Sequence, residues 1–144
     1  MFVVDTNLLL YACNPDAPEH ERAQAAVEGY RRGGELWFLT WGIVYEFLRV
    51  STHRRVFARP LTLAQACSWV GELRRSVDCQ VLGETERHAD VLAELVVRHA
   101  RLAGNPVHDL HTAALMLEHG VVEIRTADAD FHQFKFLRVT NPLQ

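Results

Sequence analysis

The chain has 144 residues, 49% hydrophobic and 23% charged, the balance of one folded soluble domain rather than a disordered chain. At that length a hydrophobic core supports the fold without a structural metal or a disulfide. The net charge of −3, from 15 basic and 18 acidic residues, argues at first against a nucleic-acid partner, because domains that bind one ordinarily carry a basic excess.

The elements follow in chain order. Phe2–Val4 reads as a short apolar strand, and Glu19–Arg32 as a helix stopped by Gly33-Gly34. Leu36–Leu39 reads as a buried strand. Thr40 then caps a helix through about Val50, with Ile43, Val44, Phe47 and Leu48 on its apolar face. Thr62 caps a helix over Leu63–Ser76, and Cys79–Leu82 is a short strand. Glu84–Leu102 reads as a long amphipathic helix whose stripe is Ala89, Leu92, Ala93, Val96 and Val97. Asn105, as N-cap, and Pro106 open a helix that runs to His119 and stops at Gly120, with Val107, Leu110, Ala113, Ala114 and Leu117 inward. Val121–Arg125 and Phe136–Val139 close the chain as strands. Alternation of this kind predicts a single α/β domain over residues 1–144, with a central, mostly parallel sheet flanked by helices. Sites in such sheets form at the carboxyl ends of the strands.

No apolar run approaches the roughly 18 residues of a membrane span. MFVVDTN has no basic leader and no cleavage site, so neither a signal peptide nor a membrane partner is expected. Cys13, Cys67 and Cys79 are odd in number and form no CxxC pair, which fits free thiols in a reducing cytoplasm.

Four acids stand out by position. Asp5 directly follows the first strand, and Asp128 follows strand 121–125 within Thr126-Ala127-Asp128-Ala129-Asp130. Glu46 lies at the edge of an apolar helix, one turn after Gly42, which leaves open space beside the carboxylate. Asp109 lies in the first turn of the helix begun by Pro106. Each has an ordinary reading: helix cap for Asp5 and Asp128, solvated flank for Glu46, dipole complement for Asp109. Together they are four acids on four elements. Carboxylates gathered in one place repel one another and call for a cation. Oxygen-only ligands favour Mg²⁺, with Mn²⁺ as an alternative, over zinc, and the chemistry of such a site is phosphodiester hydrolysis.

The segments VVDTNLLLYA, TWGIVYEFLRV, GNPVHDLHTAALMLEHG and TADADFHQF, in this order and spacing, resemble the PIN-domain ribonucleases, and within them the VapC-type toxins of toxin–antitoxin pairs. The resemblance covers nearly the whole chain. It implies an α/β/α fold, Mg²⁺- or Mn²⁺-dependent endoribonuclease activity on RNA such as tRNA or ribosomal RNA, a small cognate antitoxin, and a homodimer. It puts Asp5, Glu46 and Asp109 on the family's three metal-site acids and Asp128 on the more variable fourth, with Asp130 able to substitute. Thr6, Asn7 and Thr126 would orient the carboxylates.

Residues 47–71 hold Arg49, Arg54, Arg55 and Arg59 and no acid, so they are a candidate groove for an RNA backbone. Trp41 and Tyr45, on the same helix, either stack on bases or pack; packing is the reading taken. His108 and His111 flank Asp109, but HxxH without HExxH or a cysteine at ligand spacing argues against zinc. The competing functions are a non-catalytic PIN-like domain that binds RNA or protein, and a phosphotransfer fold. Asn7 stands where a DxD phosphatase needs its second acid, and Asp16 lies too far along for a receiver domain. With the four acids set aside, the rest of the chain carries +1, so the acidic total is compatible with RNA after all.

Overall fold

The computed structural model describes residues 1–144. Five strands, β1 (Phe2–Val4), β2 (Trp37–Thr40), β3 (Cys79–Leu82), β4 (Glu123–Arg125) and β5 (Arg138–Thr140), form one sheet in the order β3-β2-β1-β4-β5. Every pairing is parallel. The central strand β1 is wholly buried, as its unbroken apolar run requires of a strand covered on both faces. The order reverses at β1: the chain builds outward to β2 and β3 on one side, then returns to add β4 and β5 on the other. The crevice beyond the carboxyl ends of β1 and β4 is therefore the topological switch point.

Six helices surround the sheet: α1 (Thr6–Cys13), α2 (His20–Arg32), α3 (Trp41–Ser51), α4 (Leu63–Arg74), α5 (His88–Arg98) and α6 (Pro106–His119). α1 follows β1 without a loop, with Asp5 as its N-cap, and buries Leu8, Leu9 and Ala12. The sequence reading marks Asp5 as a possible cap but assigns no helix after it. Thr40 caps α3 by accepting a hydrogen bond from the Ile43 N–H, and Ile43, Val44 and Phe47 face the core as expected. Thr62 and Gln65 form a reciprocal capping box on α4. Phe47 stacks on Trp69 of α4 at 4.9 Å between ring centroids, joining the two helices.

Some expectations are corrected. α5 is shorter at both ends than the stretch 84–102: before it, the Thr85 N–H and hydroxyl both donate to Glu118 of α6, at 2.8 Å each, and a turn at 86–87 precedes the helix, which ends at Arg98. Its core face is Val91 and Leu95; the stripe Ala89, Leu92, Ala93, Val96 and Val97 faces outward. Asn105 has helical backbone and caps nothing with its side chain. Val107 is exposed, while Leu115 and Met116 join Leu110, Ala113 and Ala114 inside. The last two strands begin two residues later than the apolar runs suggest, with Glu123 buried between Arg125 and Arg138.

α6 ends where Gly120 adopts φ 67°, with its N–H donating to Leu117 and the Val121 N–H to Met116. No atom lies within 4 Å of a Cβ placed there, so a substitution carries only the conformational cost of the left-handed backbone. Gly120→Ala should lose about 1–2 kcal/mol in urea unfolding, and Gly120→Asn less. An Ala variant as stable as the parent would show that this turn does not hold the end of α6.

Candidate active site

Asp5 is the most buried and most fully hydrogen-bonded acid at the switch point. It is 8% exposed, and its carboxylate accepts three hydrogen bonds. The Thr6 N–H donates to Oδ1 at 2.7 Å. The Asn7 amide and the Thr126 hydroxyl donate to Oδ2 at 2.7 and 2.6 Å. The Asn7 amide also donates to Thr126 Oγ1 at 2.9 Å, and Asn7 Oδ1 accepts from the Ala127 N–H at 3.1 Å. Two neighbouring strand ends are thus joined through one buried carboxylate, and Thr6, Asn7 and Thr126 stand around Asp5 in the way expected of orienting groups.

Glu46 of α3 accepts from the Thr6 hydroxyl at 2.7 Å and lies 3.6 Å from Arg49 one turn on. Its side chain is 41% exposed, so it is neither a free flank nor a buried ligand but the acid at the lip of the crevice. Asp109 is half-buried in the first turn of α6, which packs on α3. Asp128 is exposed; its N–H donates to Thr126 Oγ1 at 2.9 Å, and its carboxylate accepts from the Asp130 N–H at 2.8 Å. Asp128 thus closes a tight turn onto the Asp130 N–H just ahead of the short helical turn Asp130–Gln133, whose N-cap position is Ala129, and Asp130 is exposed.

The acids act on one another through the crevice. Burial pushes the Asp5 carboxyl up to about 6, against the lowering pull of its bonds from Thr126 and Thr6, and the charges of Glu46 and Asp128 add to the rise. Asp109 is pushed up to about 7 by burial, then by the charges of Asp5, Asp128, Glu46 and Asp130. All four acids read from the sequence, and Asp130, therefore share one electrostatic neighbourhood. No three histidine, cysteine or carboxylate side chains stand close enough to hold a metal ion as they lie. Glu46 turns to Thr6 and Arg49, and Asp128 to backbone. The donor set still fits a hard divalent cation, because it is all oxygen and, of its acids, only Glu46 faces a cation, Arg49.

The arginine run divides. Arg59 is paired with Asp16 at 2.9 Å, Arg49 faces Glu46, and Arg54 and Arg55 are exposed. Trp41 and Tyr45 do not pack inside. They are 47% and 69% exposed, and the Arg74 guanidinium lies 5.2 Å from the Trp41 ring. Their spacing carries the signal: Ile43, Val44 and Phe47 already fill the inward face of α3, so residues 41 and 45 fall opposite it. His108 lines a pocket with Glu46, a placement the sequence leaves open.

Residues 2–137 match the PIN domain family model. Ribonuclease VapC33 of Mycobacterium tuberculosis is 35% identical over the whole of this chain and 99% of its own length. Ribonuclease VapC37 of the same organism is 32% identical over 99% of this chain and 97% of its own. Among solved structures, VapC20 of M. tuberculosis, a Sarcin-Ricin loop cleaving toxin, superposes with a TM-score of 0.69 at 18% identity, covering 95% of this chain and 97% of its own. VapBC2 of Rickettsia felis, bound to a DNA fragment from its promoter, gives 0.68 at 15% identity, covering 97% of each chain. Sheet order, the acids at the switch point and full-length likeness agree: this chain belongs to the PIN-domain family, among the VapC ribonucleases.

Proposed function

We propose that this protein is the endoribonuclease toxin of a VapBC-type toxin–antitoxin pair, and that it hydrolyses RNA phosphodiester bonds with Mg²⁺ or Mn²⁺. The observation that carries the reading is the buried Asp5, bound by donors from two strand ends and set among acids that share its crevice, where burial and then their charges raise the Asp109 carboxyl to about 7. Asp5, Glu46, Asp109 and Asp128 would hold the cation, with Asp130 beside Asp128. When bound, a divalent ion supplies an activated water and offsets the charge that develops on the phosphate. Thr6, Asn7 and Thr126 keep Asp5 in one orientation, and the fourfold filling of the acidic positions disfavours a non-catalytic PIN-like binding domain. Arg54 and Arg55, with Arg49 and Arg59 alongside, are the groups offered to the RNA backbone. The names of the relatives support RNA as substrate, with tRNA or ribosomal RNA as the targets to try first. A small cognate antitoxin is the protein partner this reading calls for, and the cytoplasm its setting.

In total RNA with Mg²⁺, Asp5→Asn should lower cleavage by about 10²–10³-fold. Thr126→Val, which leaves the carboxylate but removes its donor, should lower it about 10–100-fold. Equal cleavage by the parent and Asp5→Asn would place the activity elsewhere. RNA binding without cleavage, even in Mn²⁺, would favour the binding-domain reading.

The raised acids also set the pH dependence of stability. Between the ordinary aspartate value and about 6–7 the folded chain holds more protons than the unfolded one, so stability falls as pH rises through this window. Thermal unfolding without divalent metal should therefore come at a lower temperature at pH 8 than at pH 5. Asp109→Asn should flatten this slope, and Mg²⁺ should restore stability at pH 8 in the parent far more than in the variant. A parent that gains stability from pH 5 to 8 without metal would contradict the account.

The outward stripe of α5 supports a homodimer. Leu92, Val96 and Val97 are 37%, 48% and 80% exposed, with Ala89 and Ala93 beside them. Light scattering should give a dimer for the parent and a monomer for Val96→Glu/Val97→Glu. A dimer in both would exclude this face.

A further inference from the structure

Gly42, Tyr45, Glu46 and Arg49 fall at i, i+3, i+4 and i+7 on α3 and so form one outward stripe. With His108 of α6 they line a pocket of about 260 Å³. Glu46 belongs both to this pocket and to the acidic crevice, so the two are contiguous. Gly42 does not leave the open space its lack of a side chain suggests: a Cβ there would lie 3.3 Å from His111 Nδ1 and 3.5 Å from Thr40 Oγ1, so α3 packs closely on His111 at this edge of the pocket. Tyr45 is the pocket's one large apolar surface and is more exposed than Trp41, which lies under Arg74. The remaining walls are a carboxylate, a guanidinium and an imidazole.

Such a pocket suits a group with a π-face, a polar edge and an attached anion. An unstacked nucleobase with its phosphate has all three, whereas an apolar protein side chain would meet three charged or polar walls. Arginine is well matched to phosphate, and the exposed Arg54 and Arg55 continue the cationic path beyond the end of α3. We propose that this pocket holds the unstacked base of a single-stranded nucleotide adjoining the scissile phosphate. Tyr45 is the stacking surface, Arg49 contacts the neighbouring phosphate, and His108 contacts the base edge. The proposal rests on the nuclease reading for the position of the scissile bond, and deepens it by naming an unpaired nucleotide as the recognised unit.

The test uses the full chain carrying Asp5→Asn, which leaves the pocket intact, and a 4-thiouridine-containing single-stranded RNA decamer labelled with fluorescein. Photocrosslinking followed by peptide mapping should mark the α3 peptide that contains Tyr45. In anisotropy titrations with Mg²⁺, Tyr45→Ala should weaken binding about 10-fold or more, while Tyr45→Phe, which keeps the π-face, should bind like the parent. Circular dichroism checks that both variants fold. The same Tyr45 substitutions, placed in the chain with Asp5 intact, are assayed for cleavage. Unchanged RNA binding by Tyr45→Ala in a protein that still cleaves would overturn the pocket and leave the nuclease reading standing. Tyr45-dependent binding by a parent chain that never cleaves would support the pocket and sink the nuclease reading instead. Loss of antitoxin binding with RNA binding unchanged would overturn the proposal in favour of a protein partner.

Discussion

A buried carboxylate must be hydrogen-bonded, and at the centre of this fold that requirement falls on Asp5. Its donors come from the start of α1 and from Thr126 beyond β4, so satisfying it aligns the ends of two parallel strands. The Asp5 N–H donates to Arg125 and the Thr126 N–H to Thr140, at 3.0 Å each, which extends the same registration to β5. α1 begins on the residue after Asp5, so the direction of that helix, and the packing of α2 and α3 against it, follow from the same point. The position at which the chain can place an acid for chemistry is thus the position at which its topology is fixed.

The second organising effect is repulsion. Hydrogen bonds lower Asp5, but burial and neighbouring acids prevail there, and at Asp109 the largest influences all act upward. The outer acids have partners of their own: Glu46 the Thr6 hydroxyl and Arg49, Asp128 the backbone at Asp130. Only the Glu46–Arg49 pair is an exposed ion pair of little worth; the Thr6 hydroxyl holds Glu46 at 2.7 Å, facing the Asp5 side of the crevice. The grouping of the acids also changes the meaning of the overall charge. The negative total is concentrated in the crevice, and the cationic residues 49–59 lie on the adjoining helix and loop.

Local patterns carried much of this architecture. Thr40 and Thr62 as caps, Cys79–Leu82 as a strand and Gly120 as a stop are short-range chemistry, and the structure repeats them. The acids that end β1 and follow β4 could be placed because strand ends in a parallel sheet converge whatever the rest of the chain does. What the sequence did not reveal depends on long-range partners. Where α5 begins follows from Thr85 reaching Glu118, and which of its faces is inward depends on α6. Helix α1 was hidden because VVDTNLLLYA is apolar on both sides of Asp5, so strand and helix merge into one run. Tyr45 and Trp41 read as core because aromatic residues on an apolar helix ordinarily are; only the filled inward face of α3 sends them out.

The claim that a divalent cation neutralises this acidic crevice is tested most directly by the protons its binding displaces. Titration of Mn²⁺ into the protein at pH 6.5, in buffers of different ionisation enthalpy, measures that number. Asp5 and Asp109, raised to about 6 and about 7, are partly protonated there, so binding should release protons at pH 6.5 and almost none at pH 8.5. Mn²⁺ binding with no proton release at pH 6.5, or no binding at either pH, would contradict the account.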